Sequence, residues 1–529
     1  MLKNNDINSR AFKSARTNKV EDSLKKRYLY KIISNFVGLG ASMITQTIIP
    51  RALGPASYGS FSFLTEFFRQ VVGFFDAGTS LGFYSKLSQR PREPALIRFY
   101  WAFAGLIGIV VIILVQAIFS IGLGSRLWLG QETLFIFLAA IWALLTWYIQ
   151  IISNIVDAYG QTVGGEIARI AQKIFSVGLI LLMYWCNRFS LTEYFAYHYV
   201  IMLFLSYAFW RVLRASRIAL FPRIKPYSLA IKRYTNEFYK YSSPLLMMSV
   251  FVLLFAILDR WLLQRVAGSV EQGFYGLSYQ IGAICFMFTS AMTVLLMREF
   301  SKAFGNQDLE HMRTLFKRYI PMLYSIAAFF GVFVALQADR ISWIFGGTKF
   351  HGAARAISLM ALYPIHQTYG QLTGSLLLAT GQTKRYRDVN IGIGFLGLPI
   401  LFWLIGPKHW FGLELGATGL AIKMVLINFI GVNLLLLYCA RFLHLSFFRF
   451  LRHQGYSVVL LAGAAVLATT AVNLLFHKPI IAFLLTGAAY SLESIGIAVL
   501  FPQVFGVTRT ELVRSLAQLR SRLAVALGG

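Results

Sequence analysis

The chain reads as an all-α polytopic membrane protein of about 14 transmembrane helices, and three observations predict this class. Of its 529 residues, 57% are hydrophobic and only 13% are charged, more apolar material than one water-soluble core needs. The apolar residues fall into fourteen runs of helix length. A hydrocarbon layer of about 30 Å takes roughly 20 residues to cross, and only helices or closed barrels satisfy every backbone group there. Finally, the loops between runs alternate between rich in Lys and Arg and nearly bare of them.

In chain order the spans are expected at Tyr30 to Ile49, Tyr58 to Lys86, Phe99 to Ile121, Thr133 to Val156, Ile167 to Tyr184, Leu191 to Trp210 and Ser242 to Val266. The remaining seven are Phe274 to Leu296, Tyr319 to Leu336, Gly352 to Ala379, Val389 to Ile405, Gly416 to Ala440, Tyr456 to Phe476 and Ile480 to Phe501. Counting cations orients them. The N-terminal tail, the loops after even-numbered spans and the C-terminus hold 38 of the 50 Lys and Arg residues. The loop between the fourth and fifth spans is credited with two of these. The opposite face holds eight: Arg51, Arg126, Arg188, Arg265, Arg340, Lys349, Lys408 and Lys478. By the positive-inside rule the basic face is cytoplasmic and both termini lie inside. The net charge of +29 then reflects topology and attraction to anionic membrane lipids, with no nucleic-acid partner. The first 30 residues are polar and basic, so no signal peptide is expected and the first span serves as an uncleaved anchor. Three cysteines, far apart in apolar surroundings, predict packing residues rather than a disulfide framework or a metal site.

Five regions follow: a basic cytoplasmic tail (1–29), an N-lobe of helices 1–6 (30–214), a cytoplasmic linker (215–241), a C-lobe of helices 7–12 (242–441), and helices 13–14 with a basic cytoplasmic tail (442–529). The linker carries Leu229, Tyr234, Phe238 and Tyr241 among basic residues, the pattern of an interfacial helix on the inner leaflet. The lobes look repeated. Arg51-Ala-Leu-Gly54 with Tyr58-Gly59 is echoed by Arg265-Val-Ala-Gly268 with Tyr275-Gly276, and Trp128-Leu-Gly130 by Trp343-Ile-Phe-Gly346. The offset of about 215 residues predicts a parallel repeat about an axis along the membrane normal, with the last two helices outside it.

The strongest chemical signal is in the second span. Ser62, Glu66, Arg69, Gly73, Asp76 and Ser80 share a sector of about 60° on an ideal helix, and Arg69 and Asp76 fall ~5 and ~6 Å from the bilayer centre. Ionised groups so deep cost several kcal/mol against lipid, so this face meets protein or a watery cavity. The bland alternative is a Glu66–Arg69 pair that locks the helix to a neighbour. In the first span Asn35, Gly38, Ser42 and Gln46 share a face, and in the eighth Ser278, Gly282, Cys285 and Thr289 do; such stripes mean close packing more often than binding. Asp259 and Arg260, being adjacent, lie about 100° apart and need separate partners. In the tenth span Pro364 should kink the helix near its midpoint, with Gln367 on the cavity side. His366 there is either a neutral, hydrogen-bonded imidazole or a proton carrier. Arg355 lies at the outer edge, where it can snorkel. Lys423 falls ~7 Å outside the midplane, and Glu493 has no evident partner in sequence.

No zinc HExxH, P-loop or nucleophile-elbow motif occurs, no nucleotide-binding domain is evident, and the outer loops are short. The chain is therefore read as a transporter rather than an enzyme, with no cofactor beyond a coupling ion, H+ or Na+. Several phrases then point to a family. Arg51-Ala-Leu-Gly54-Pro55 with Tyr58-Gly59, Asp259-Arg260-Trp261 before Gly273-Phe-Tyr275-Gly276, Ala379-Thr-Gly381-Gln382-Thr-Lys384, and Gly416-Ala-Thr-Gly419-Leu-Ala421 resemble the polysaccharide transporters of the multidrug/oligosaccharidyl-lipid/polysaccharide exporter superfamily. These include Wzx-type O-antigen flippases. The likeness spans about Tyr30 to Arg441.

The resemblance implies a V-shaped pair of helical lobes in a bacterial inner membrane. They would rock between two states and move a polyprenyl-diphosphate-linked oligosaccharide from the cytoplasmic to the periplasmic leaflet. That cargo serves lipopolysaccharide or exopolysaccharide biosynthesis, in company with polysaccharide-assembly membrane proteins. Burial singles out Arg69, Arg260 and Lys423 as cations for the diphosphate, with Arg51 and Arg355 near the outer gate. Glu66, Asp76, Asp259 and His366 are the candidates for coupling or charge balance, and Asn35, Ser42, Gln46, Ser62, Ser80 and Gln367 for cavity lining. The alternatives are a cation-coupled drug antiporter of the same superfamily and a membrane ligase or polymerase of lipid-linked sugars.

Overall fold

The computed structural model describes residues 24–90, 93–222, 228–476 and 478–506. The basic tail before residue 24 and the tail after residue 506 lie outside them. Among the described residues every regular element is helical, and eleven helices are long and apolar enough to cross a membrane. The chain is a multi-pass membrane protein.

Two of the eleven hold two expected spans each. Helix α1 (Leu24–Asp76) leaves helical geometry only at Gly54, with φ 75° and ψ 167°. Pro55 follows, and a residue before proline is pushed out of the helical region. Glycine supplies the positive φ without strain. Helix α8 (Ser228–Gly305) repeats the device at Gly268, with φ 78° and ψ −173°. Between them run α2 (Thr79–Gln89), α3 (Pro94–Ser120), the short α4 (Gly124–Leu127), α5 (Thr133–Ala158), α6 (Thr162–Trp185) and α7 (Leu191–Ala215). After α8 come α9 (Leu309–Leu336), α10 (Ala338–Gly346), α11 (Ala354–Met360), α12 (Tyr363–Ala379), α13 (Thr383–Ile405), α14 (Gly416–Phe442), α15 (Phe447–Leu475) and α16 (Pro479–Leu500).

Three expectations are corrected. The second span is not one helix, because Ala77 (φ 41°) and Gly78 (φ 78°) break it between α1 and α2. The tenth is not kinked at Pro364 but split at Ala361-Leu362. Pro364 lies in the first turn of α12, where its missing N–H leaves nothing unsatisfied. The linker, in turn, is no separate interfacial helix: from Ser228 it runs on into the seventh span. Its Tyr234 and Phe238 are buried against Phe99, at ring distances of 5.2 and 5.9 Å. The aromatic face meets protein where lipid was expected; Leu229's side chain lies outside the described residues.

An ionic clip holds this segment. Glu237 accepts from Arg90 at 2.6 Å and lies 3.1 Å from Lys86, while Glu93 binds Arg233 and, at 2.7 Å, the Tyr234 hydroxyl. Burial pushes the Glu237 carboxyl up, but hydrogen bonds from Arg90 and Lys86 outweigh it and hold it below the usual carboxylate range. A carboxyl that titrates lower when folded stabilises fully above its unfolded pKa, and that contribution fades as pH falls through the folded value. Glu237→Gln is therefore expected to raise hydrogen exchange across residues 228–241 several-fold at pH 7, and wild type should match it only once acid has protonated Glu237, below the usual carboxylate range. Equal exchange at pH 7 would remove the clip from the account.

Candidate functional site

The kinks at Gly54 and Gly268 bring the second helical segments of α1 and α8 together, backbone on backbone. A Cβ on Gly59 would lie 1.7 Å from the carbonyl oxygen of Ser269, and one on Gly273 would lie 2.2 Å from that of Pro55. The contact is reciprocal. Gly54 with Gly268, Pro55 with Ser269 and Gly59 with Gly273 are each separated by the same number of residues, so one half of the crossing repeats the other.

Hydrogen bonds between the halves gather around it. Ser60 Oγ donates to Ser269 Oγ at 3.3 Å, and the same hydroxyl accepts from Gln131 and Gln264, each at 3.1 Å. Trp261 Nε1 donates to the Arg126 carbonyl and Gln264 Nε2 to that of Leu129, both at 3.0 Å. Arg51 donates to the Trp343 carbonyl at 2.6 Å and sits 5.4 Å from that indole's centroid. All these groups lie toward the face whose loops are bare of cations. Arg51 is thus part of a closure at the bare end, bonded to backbone.

Deeper along α1, toward the basic face, lies the Glu66–Arg69 pair. Arg69 Nε and Nη2 donate to the two oxygens of Glu66 at 2.8 and 2.6 Å, and Gln70 donates to Glu66 at 2.7 Å. The Arg69 side chain is nonetheless 53% exposed. Arg260 also acts on Glu66 from α8. Yet Arg260 is buried: it donates to Gln272 at 3.0 Å and stacks over Tyr275 at 4.5 Å. Lys423 is buried too, with both Asp259 oxygens at 2.7 Å.

The three cations chosen from the sequence therefore do not form one free set. Arg69 is half-exposed, Arg260 is buried with Gln272 and Tyr275, and the Lys423 charge is neutralised by Asp259. Asp259 and Arg260 do take separate partners, as their spacing requires. Arg355 is exposed, with no ion pair among the described residues.

Asp76 serves the break it precedes. Its Oδ1 accepts from the Ser80 amide at 2.9 Å, the Ser80 hydroxyl at 2.6 Å, Thr79 at 2.9 Å and Trp147 at 3.2 Å. A helix start leaves orphan N–H groups and a partial positive charge, and this carboxylate answers both for α2. Ser80 is consequently buried against Trp147 and the half-buried Asp76, away from the Glu66 surface. Ser62 faces Gly276, whose added Cβ would meet its hydroxyl at 2.6 Å. Gln46 accepts from Tyr58 at 3.3 Å, Ser42 is half-buried, and Asn35 is exposed. His366 packs edge-on to Phe429 at 4.9 Å, and its buried Nδ1 has no hydrogen-bond partner among the described residues. Gln367 is half-buried beside it.

Sequence reasoning missed one cluster. Arg169 and Lys173, credited to a loop, lie inside α6. Arg169 pairs with the buried Glu166 and approaches Asp157 at 3.6 Å, and Lys173 donates to the Ser34 carbonyl of α1 at 2.6 Å. The 166, 169, 173 spacing places all three on one helical face, and it could have been read from the sequence.

The sequence profile of the polysaccharide biosynthesis protein family matches residues 24–297, more than half of the chain. The chain belongs to this family. No curated protein matches it in sequence. Among solved structures, the lipid II flippase MurJ in an inward closed conformation superposes with a TM-score of 0.61 at 12% identity, covering 89% of this chain and 98% of that one. An inward-facing multidrug resistance MATE transporter of the MOP superfamily gives 0.62 at 14% identity, covering 78% and 94%. An outward-facing MATE transporter gives 0.53 at 13% identity, covering 79% and 95%. The family member thus shares the fold of MOP-superfamily transporters.

Proposed function

We propose that this protein is a flippase. It moves a polyprenyl-diphosphate-linked oligosaccharide from the cytoplasmic to the periplasmic leaflet by alternating access, for O-antigen or exopolysaccharide assembly at the inner membrane. The basic face is cytoplasmic in this reading. The observation that carries it is the half-exposed Arg69 guanidinium, fixed by Glu66 beneath a bare end closed on glycine backbone. A diphosphate headgroup needs a cation held in place in a wet cleft, while its lipid tail stays in the bilayer. Glu66 occupies only Nε and one hydrogen of Nη2, so Nη1 and the outer Nη2 hydrogen remain for phosphate oxygens. Arg260, buried on α8, adds positive field at Glu66 without being a first ligand.

Glu66 is then the natural coupling group, because protonating it would release Arg69 to a competing anion. A drug antiporter reading gains little from the site. Asp259 is committed to Lys423 and Asp76 to a helix end, and Glu66 lies beside a guanidinium that would repel a cationic drug.

In cells, deleting the gene should trap lipid-linked oligosaccharide on the cytoplasmic leaflet. Arg69→Ala should cut surface polysaccharide about ten- to hundred-fold, the worth of one charge-assisted contact, at unchanged protein abundance. Wild-type surface polysaccharide in Arg69→Ala cells would overturn this reading.

A further inference from the structure

A second cationic site lies away from α1 and the cleft. Between α9, α15 and the 3₁₀ turn Pro502–Phe505 that follows α16 is a cavity of about 660 Å³, whose walls include Lys317, Arg449, Arg452 and His453. Arg449, Arg452 and His453 fall at i, i+3 and i+4, on one face of α15 near its start, and Lys317 comes from the facing helix. Among the described residues no carboxylate lines the cavity, and neither arginine nor Lys317 makes an ion pair. Like charges one turn apart repel, so three cations that meet no acid among the described residues suit an anion.

The walls are built rather than incidental. The Val504 carbonyl accepts from Ser325 Oγ and lies 2.8 Å from His453 Nε2, which pins the turn to both helices. Phe450 is buried in the cavity wall. The open side leads to apolar surface: Tyr456 and Phe501, with ring centroids 6.4 Å apart, and Val459 one turn deeper are all exposed. Cations beside an exposed apolar strip fit a phosphate that carries acyl chains.

We propose that this cavity binds the phosphate of an anionic lipid of the leaflet on the basic face, with the acyl chains along Tyr456, Val459 and Phe501. The site is separate from the transport cleft and its occupancy is read without transport, so its failure and the failure of the flippase reading are distinguishable.

The test uses the purified full-length protein in detergent, with native mass spectrometry and thermal unfolding read against added phosphatidylglycerol, phosphatidylcholine or glycerol 3-phosphate. Phosphatidylglycerol should bind and raise the Tm, and phosphatidylcholine should do neither. Arg449→Gln/Arg452→Gln should weaken phosphatidylglycerol binding about ten-fold or more, while the equally charge-reduced Lys384→Gln/Arg387→Gln should not. Binding of glycerol 3-phosphate as tight as that of the lipid would overturn the lipid assignment and leave a soluble phosphate as the ligand. Equal binding of phosphatidylcholine, or equal losses in the two double variants, would overturn the site altogether.

Discussion

Gly59→Ala is expected to reduce transport at least ten-fold while leaving α1 helical. Alanine is the better helix former, by roughly 0.5–1 kcal/mol, so the local helix gains. What fails is the crossing: the new Cβ would sit 1.7 Å from the Ser269 oxygen, and backbone cannot rotate away as a side chain can. To restore ordinary contact the two helices must separate by about 1.5 Å or more, which also parts Ser60 from Ser269. Gly273→Ala should act alike through Pro55. Closure is read directly by Ser60→Cys/Ser269→Cys, placed where hydroxyl oxygens are now 3.3 Å apart. Oxidation should link this pair quickly in the otherwise native chain and stop transport until reductant is added. In the Gly59→Ala background the link should form about ten-fold more slowly. Native cross-linking and transport in either alanine variant would show that the bare-end crossing plays no part in the cycle.

Lys423→Met is expected to destabilise the protein by about 3–5 kcal/mol, because it leaves the Asp259 carboxylate buried and unpaired. Asp259→Leu/Lys423→Met, which removes both charges, should recover most of that loss. The pair thereby separates structure from cargo handling. Each charge is already answered by the other at 2.7 Å, so the double variant should transport within about three-fold of wild type once folded. A stable double variant that transports nothing would return Lys423 to the cargo site.

What the sequence could reveal follows from what sets each feature. Apolar length and loop charge are properties of consecutive residues, so the all-helical membrane class was legible, as was the adjacency problem of Asp259 and Arg260. The short echo around Gly54 and Gly268 marked two positions that share one unusual backbone conformation, though not that Gly59 and Gly273 lie on each other's carbonyls. Breaks were harder. A hydropathy pattern runs straight through Asp76-Ala77-Gly78, and it cannot show that Asp76 caps the helix beyond. Once the helix breaks there, the six-residue polar face drawn on an ideal helix stops being one face, which is why Ser80 is buried and Arg69 is not. Partners across helices were least legible of all. Lys423 looked like a free cation in sequence because Asp259 is distant along the chain and near only in the fold.

The central claim is tested most directly in vesicles. Purified protein is reconstituted with a polyprenyl-diphosphate-linked oligosaccharide, and the rate at which its sugar becomes accessible to an external glycosidase is measured. The account predicts protein-dependent transfer that Arg69→Ala slows about ten-fold or more and that the oxidised Ser60→Cys/Ser269→Cys pair stops. Transfer no faster than in protein-free vesicles, or unchanged by both variants, would contradict it.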